Sequence, residues 1–246
     1  VIGSTITIQG SFGAPVTDSD PTGTSGASGF SVSQRSLPIG AVPFGRILNN
    51  TIYGTKKELE DFQETGIQID EDASPTLLNN ILVNLENGIR VDISSLSTVV
   101  AASVYDGNVN NSNVPTETFS LQFSPGPLAA CDELFVKATT PDRNFYLCAG
   151  DPNNPNPAID SSIASLEDRF GYLLVKAPLE IAPSPVIAPE LDLRGQLRID
   201  DPNTEPIGGI GENVFIDRGA IDRSDFAGPV ARFITPFDND PLGFDL

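Results

Sequence analysis

Between Arg46 and Asn108 one short pattern occurs three times, and such recurrence confines a chain to architectures that stack like units. The copies are Arg46-Ile-Leu-Asn-Asn-Thr-Ile-Tyr-Gly54, Gly66 to Asn84, and Gly88 to Asp106. Gly66 maps onto Gly88, Ile67 onto Ile89, Ile69 onto Val91, Asp70 onto Asp92 and Thr76 onto Thr98, a step of 22 residues. Ile67 and Ile69 alternate with polar neighbours, as Ile89 and Val91 do, which is the period of a strand with one buried face. A second apolar run follows in each copy, Leu77 to Val83 and then Val99 to Tyr105. The runs are separated by the turn-forming pattern Asp-x-x-(Ala/Ser)-x-x-Thr. One copy alone cannot bury its apolar face or pair its backbone; stacking does both.

The reading that follows is an all-β chain, a parallel β-helix with irregular loops and an extended C-terminal tail; its right hand is what the resemblance given below implies. Asn-Asn recurs at Asn49/Asn50 and Asn79/Asn80 and gives way to Ala101/Ala102 in the third copy. Asn tolerates left-handed backbone angles and bonds backbone groups in bends, so these pairs are expected at one stacked corner. The functional alternatives are a polar ligand site or a glycosylation acceptor at Asn49-Asn50-Thr51. The two pairs lie 30 residues apart, which places an insertion of about eight residues between Gly54 and Gly66, read as a polar loop or short helical turn.

The repeats resemble those of the pectate-lyase-like superfamily of right-handed parallel β-helices. A closer similarity is to β-helix segments of very large secreted surface proteins of planctomycete-type bacteria. It is carried by Arg46–Gly54, Gly66–Asn84, Asn144-Phe-Tyr-Leu-Cys148 leading to Pro157-Ala-Ile-Asp-Ser161, Leu191-Asp-Leu-Arg-Gly-Gln-Leu-Arg198, and Gly211 to Asp222. The resemblance implies a scaffold and brings no known catalytic motif with it.

Along the 246 residues, 1–45 read as leading strands and a flexible loop. Residues 46–200 read as coils with a stapled excursion, and 201–246 as a tail or linker to a further module or neighbouring subunit. Within these, Val1 to Ile8, Phe30 to Val32, Ile39 to Phe44 and Thr116 to Phe123 read as strands. Leu134–Lys137 and Asn144–Leu147 are expected to continue the stack, Ser162–Arg169 to form a short helix, and Pro178–Pro206 to wrap the stack as extended chain. Glycine (22) and proline (21) together supply the frequent turns this needs. No Met occurs, which predicts a processed or excised piece of a longer chain. Neither Val1 nor Leu246 sits in a capping pattern, so the ends are expected to contact further modules or copies of the chain.

The net charge of −19 repels phosphate backbones and excludes nucleic acid as a partner. No run of 18 apolar residues is present, so no membrane span is expected. The acidity suits a secreted or cell-surface protein. Cys131 and Cys148 are the two cysteines, and in a secreted chain they suggest one disulfide, worth about 3 kcal/mol through loop entropy. Two buried free thiols and a metal pair are the alternatives, the latter disfavoured because His is absent.

Asp18-Ser-Asp20-Pro-Thr-Gly23 and Asp238-Asn-Asp240-Pro-Leu-Gly243 share the opening Asp-x-Asp-x-x-Gly spacing of a calcium loop. Neither has the closing bidentate Glu, and an ordinary Asp-Pro turn explains each equally; calcium is the one cofactor considered. Asp70, Asp72 and Asp92 with Arg90 offer carboxylates on one face, but equivalent positions of successive coils are more simply solvated turn residues. Without His, Ser–His–Asp and Cys–His catalysis are excluded. No catalytic residue is assigned. The expected role is a non-enzymatic structural module of an extracellular fibre, filament or cell-surface protein, self-associating through its ends. The alternative is a polysaccharide-binding or polysaccharide-cleaving protein, and a third is a calcium-stabilised adhesive module.

Overall fold

A computed structural model describes residues 6–9, 30–33, 45–54, 64–70, 73, 75–95, 98–114, 117–123, 131, 134–138, 143–151, 154–166, 177–180, 182, 185–200 and 216–223. Among them there are strands and two short 3₁₀ turns and no α-helix. The first strand, β1 (Ile6–Gln9), precedes four successive groups of three. These are β2 (Phe30–Ser33), β3 (Arg46–Leu48) and β4 (Thr51–Tyr53); β5 (Thr65–Ile69), β6 (Thr76–Leu78) and β7 (Ile81–Val83); β8 (Asn87–Val91), β9 (Val99–Ala101) and β10 (Val104–Asp106); and β11 (Asn110–Ser112), β12 (Glu117–Thr118) and β13 (Leu121–Phe123). The groups stack into three parallel sheets, ordered β1-β2-β5-β8-β11, β12-β9-β6-β3 and β13-β10-β7-β4, so the chain visits the sheets in rotation.

Stacking in register places like side chains over one another. Ile67 pairs with Ile89 and Ile69 with Val91. Ile47, Leu77 and Val100 form a second column, and Ile52, Leu82 and Tyr105 a third. All ten residues belong to one buried cluster inside the stack. Apolar area removed from water at about 25 cal/mol per Å² is what holds successive turns together.

The 22-residue step holds only between β5 and β8. At β6/β9 the partners are Thr76 and Val99, and at β7/β10 they are Ile81 and Val104, a step of 23. Thr98 is therefore not the counterpart of Thr76. The added residue falls between β8 and β9, where the chain makes a 3₁₀ turn at Ile93–Ser95. Beyond β10 the turns tighten to 17 residues, Val104 pairing with Leu121. The single strand read over Thr116–Phe123 is broken into β12 and β13 by a corner at Phe119, whose φ is +57°. The last turn tapers: β11 has three residues and β12 two, and beside them the Asn113 amide takes the place of main chain. It accepts from Val91 N at 2.6 Å and donates to Val91 O at 2.8 Å. Short edges finished by side chains are how sheets limit unwanted pairing.

After β13 the pattern changes. The segments expected to continue the stack, β14 (Phe135–Lys137) and β15 (Asn144–Leu147), pair antiparallel with each other. β16 (Gly150–Asp151) and β17 (Asn154–Pro155) form a second small hairpin. In place of a helix, the described part of Ser162–Arg169 holds β18 (Ser165–Leu166), antiparallel to β19 (Val186–Ile187). Pro178–Pro206 is described in part, with a 3₁₀ turn at Ala177–Leu179 and a bridge between Leu191 and Leu197. These pieces cover the outer faces of two sheets. The β14–β15 hairpin packs Phe135 and Leu147 on Ile81, Val83, Val104 and Phe123. Ile163 and Val186 pack on Leu78, Ala101 and Ala102. Ile39–Phe44, the Gly54–Gly66 insertion except Glu64 and Thr65, and the tail beyond Arg223 lie outside the described residues.

Leu82 lies at the centre of its column with no exposed surface. Leu82→Ala is expected to lower stability by about 2–5 kcal/mol, while Arg90→Ala, on the exposed face of β8, stays within about 0.5 kcal/mol. Urea midpoints of the two variants, measured side by side, check this.

Candidate functional site

Each turn of the stack bends between its second and third strand through one residue in the left-handed region: Asn49 (φ +49°), Asn79 (+56°), Ala102 (+50°) and Phe119 (+57°). Asn adopts this region at less cost than other residues with a Cβ. The ladder runs through the bend unbroken. Asn49 N donates to Leu78 O (2.9 Å), Asn79 N to Ala101 O (3.1 Å) and Ala102 N to Thr118 O (2.8 Å). Side chains add a second ladder at the same corner. Asn79 Nδ2 donates to Asn49 Oδ1 (3.2 Å) and Asn50 Nδ2 to Asn80 Oδ1 (3.1 Å), while Asn80 Nδ2 donates to Ile47 O (2.8 Å). The register places Asn79/Asn80 over Ala102/Ser103, not over Ala101/Ala102, because the step here is 23.

Three distant segments converge on this corner. Asn79 holds the first through paired bonds, Ile163 N to its Oδ1 (2.8 Å) and its Nδ2 to Ile163 O (2.9 Å). The small Ala102, standing where earlier turns have Asn, shares a buried cluster with Ile163. The second segment, Ile216–Arg223, crosses several turns. Gly219 N donates to Asn79 O (2.8 Å), Ala220 N to Thr51 Oγ1 (3.0 Å) and Asn49 Nδ2 to Asp217 O (3.3 Å). Gly219 has φ +89°, and a Cβ there would come within 2.6 Å of Ile81 Cδ1 and Thr51 Oγ1. Only glycine allows the segment to lie this close. The third, Leu191–Arg198, is tied to the second by Leu193 N to Ala220 O (2.8 Å) and by Arg198.

Buried acids hold these segments by accepting backbone N–H groups. Asp217 accepts from Asp160 N (2.9 Å) and Arg223 N (2.6 Å), and Asp222 from Ile199 N (2.9 Å) and Asp217 N (3.2 Å). Asp192 folds its own turn, accepting from Arg194 N (2.7 Å) and Gln196 N (2.9 Å). Arg198 donates to Asp217 O (3.2 Å) and Gly219 O (2.8 Å) and pairs with Asp222 at 3.7 Å. Arg218, the largest fully buried side chain, donates from Nε to Ser161 O (2.8 Å) and from Nη1 to Ser103 O (3.1 Å).

Burial dominates the electrostatics of this clasp. It pushes the Asp217 carboxyl well above the usual carboxylate range, helped by the neighbouring Asp222 charge and opposed by the Arg223 and Asp160 N–H bonds. Burial also raises Asp222, against the Ile199 and Asp217 N–H bonds and the Arg198 charge. It lowers Arg198 despite the attraction of Asp222, Asp192 and Asp217, and it pushes Arg218 down to about 9, which leaves Arg218 cationic at neutral pH. The hydrogen bonds described for these groups all run to the chain itself, and they fasten one segment to another.

The other expected site residues lie elsewhere. Cys131 and Cys148 form a disulfide, Cα atoms 6.2 Å apart, at the base of the β14–β15 hairpin. Asp70 and Asp92 follow paired residues of β5 and β8. Asp70 accepts from Gln68 Nε2 (2.9 Å), and exposed Asp92 is lowered by the hydroxyl and N–H of Ser94. Asp72 and the calcium candidates Asp18, Asp20, Asp238 and Asp240 lie outside the described residues. Among the described residues no three His, Cys, Asp or Glu side chains are arranged to hold a metal, and no helix is long and apolar enough to cross a membrane. The clasp residues Asp160, Asp192, Arg198, Asp217, Arg218 and Asp222 received no role from sequence. Their only signal was that they fall in three of the segments carrying the resemblance, Pro157 to Ser161, Leu191 to Arg198 and Gly211 to Asp222.

Asn79→Ala removes bonds on both sides of the corner and strands Ile163 N. It is expected to cost about 2–4 kcal/mol, read as a lower denaturant midpoint, even though Ala102 shows that Ala fits the same φ. The raised carboxyls set the sign of a pH effect. A native pKa above the ordinary 3.8 means the folded state holds its proton longer. The contribution of Asp217 and Asp222 to stability is therefore complete below pH 3.8 and lost as pH rises through their raised values. Thermal melts between pH 7 and pH 4 are expected to show the native chain gaining relative to Asp217→Asn as pH falls, which separates the clasp from general charge relief. No protein-family model, no curated protein and no solved structure matches the chain.

Proposed function

We infer that the stack is a right-handed parallel β-helix acting as a non-enzymatic structural module of an extracellular fibre, filament or cell-surface protein. The observation that carries this is the use made of its charged and amide groups. At the corner, Asn49, Asn50, Asn79 and Asn80, with Arg198, Arg218 and the clasp aspartates, bond the chain's own backbone across several turns. A scaffold needs rigidity over length, and this is where the sequence has placed its buried polar groups. The disulfide and the acidic surface, −19 net, suit an oxidising, extracellular setting. The resemblance to β-helix segments of secreted surface proteins of planctomycete-type bacteria agrees in kind with this role.

Partners on this reading are copies of the chain or adjacent modules. The outer strands among the described residues are β1 and β11 in one sheet, β3 and β12 in the second, and β4 and β13 in the third. The β11–β12 end is short and flanked by the Asn113 amide, so on this reading it is the β1, β3 and β4 end that offers main-chain donors and acceptors to a further turn. Electron microscopy and light scattering of the native protein over a range of concentrations test the reading. Rod-like particles that lengthen with concentration are the expected result. A monodisperse monomer that depolymerises an acidic polysaccharide would overturn it in favour of the enzyme.

A further inference from the structure

Asn-x-(Ser/Thr), with any middle residue but proline, is the acceptor triplet for a sugar on an asparagine amide, and the chain holds two copies. The fold treats them oppositely. Asn49-Asn50-Thr51 is built into the corner. Asn49 is 5% exposed, its Nδ2 donates to Asp217 O at 3.3 Å and its Oδ1 accepts from Asn79 Nδ2 at 3.2 Å. A sugar on that nitrogen would stand where Ile216–Arg223 crosses the stack. Asn110-Asn111-Ser112 is strand β11, the outer strand of its sheet among the described residues, and Asn110 is exposed. Its N–H donates to Glu86 O at 2.9 Å, so the side chain is presented from a fixed backbone. Asn110 Nδ2 donates to Asn87 Oδ1 at 3.1 Å. An amide nitrogen that carries a sugar keeps one hydrogen, which is enough for that bond.

The surroundings of Asn110 are those of a finished, water-facing end. In the turn that holds β11, β12 and β13, the apolar columns give way to polar residues. Ser112 follows Ile67 and Ile89, Glu117 follows Ile47, Leu77 and Val100, and Gln122 follows Ile52, Leu82 and Tyr105. Glu117 accepts from the Tyr105 hydroxyl at 2.8 Å, and Gln122 is exposed. A further turn laid on these residues would bury polar groups with no apolar gain. We propose that Asn110 carries an N-linked oligosaccharide. The donor class is an oligosaccharide held on a lipid pyrophosphate. Asn110 Nδ2 bonds to the anomeric carbon of the first sugar, and the bond from that carbon to the pyrophosphate oxygen breaks. The lipid pyrophosphate leaves with the electron pair, one Nδ2 proton passes to solvent, and nothing is oxidised or reduced. The inference rests on the extracellular reading above, because such transfer belongs to the secretory route. A bulky, hydrated sugar on an exposed edge strand shields that edge from pairing with another chain.

Mass spectrometry of the peptide carrying Asn110, from protein isolated from its own source, tests this. The expected result is a peptide bearing added sugar mass. Peptide-N-glycosidase in heavy-oxygen water should remove that mass and leave a labelled aspartate at the position, while the Asn49 peptide is expected to be unmodified. Expressed in the same source, Ser112→Thr should keep the modification, and Asn110→Gln and Ser112→Ala should lose it while keeping the native circular dichroism spectrum. An unmodified Asn110 in extracellular protein with the Cys131–Cys148 bond formed would overturn the proposal and leave the extracellular reading standing. Sugar on Asn49 with none on Asn110 would overturn it too. Protein recovered from the cytosol with both cysteines reduced would overturn the extracellular reading and the proposal together.

Discussion

The constraint on which the structure depends is that a parallel ladder must turn corners without losing bonds. Buried peptide groups that lack partners are costly, and the inner turns of this stack bend between buried strands. The solution is local and repeated. At this corner one residue of each turn enters the left-handed region, and the N–H groups of Asn49, Asn79 and Ala102 still reach the turn beyond. Asn fills that position twice because it tolerates the angle and its amide continues the ladder sideways. Once this corner is fixed, register follows, and with it the three columns of apolar side chains inside.

The same corner explains how the rest of the chain is organised. Where Asn gives way to Ala102, the corner joins one buried cluster with Ile163, and the segment bearing Gly219 lies against Ile81 and Thr51. The polar atoms of the corner thus serve two directions at once, from turn to turn and from the stack to its covering. Buried aspartates and arginines complete the covering by bonding main chain, so most of the polar demand in the clasp is met by backbone. This arrangement is specific because each acceptor meets a donor fixed by a particular fold of the segment.

Much of the stack was legible because its interactions are short in sequence. Ile67 over Ile89 could be read from a strand period and a step, and the Asn pairs from the chemistry of a bend. The shift from 22 to 23 was not legible, because a 3₁₀ turn at Ile93–Ser95 absorbs a residue without leaving a pattern. Thr116–Phe123 alternates like one strand, and nothing in Phe119 announces a left-handed corner. The antiparallel turn of β14 against β15 was missed because alternating strands look alike whichever way they pair. The clasp was the least legible: Asp160, Asp192, Arg198, Arg218 and Asp222 acquire meaning only when segments about 20 to 170 residues apart meet. No local propensity encodes such a meeting.

The course of Ile216–Arg223 has a mechanical consequence. Its bonds reach Thr51 in the first complete turn, Asn79 in the second and Ser103 in the third. Tension applied along the stack would therefore load these bonds together in shear, where a separate patch on each turn would let them fail one by one. Such a lashing ties together turns that in the bare coil meet only their neighbours.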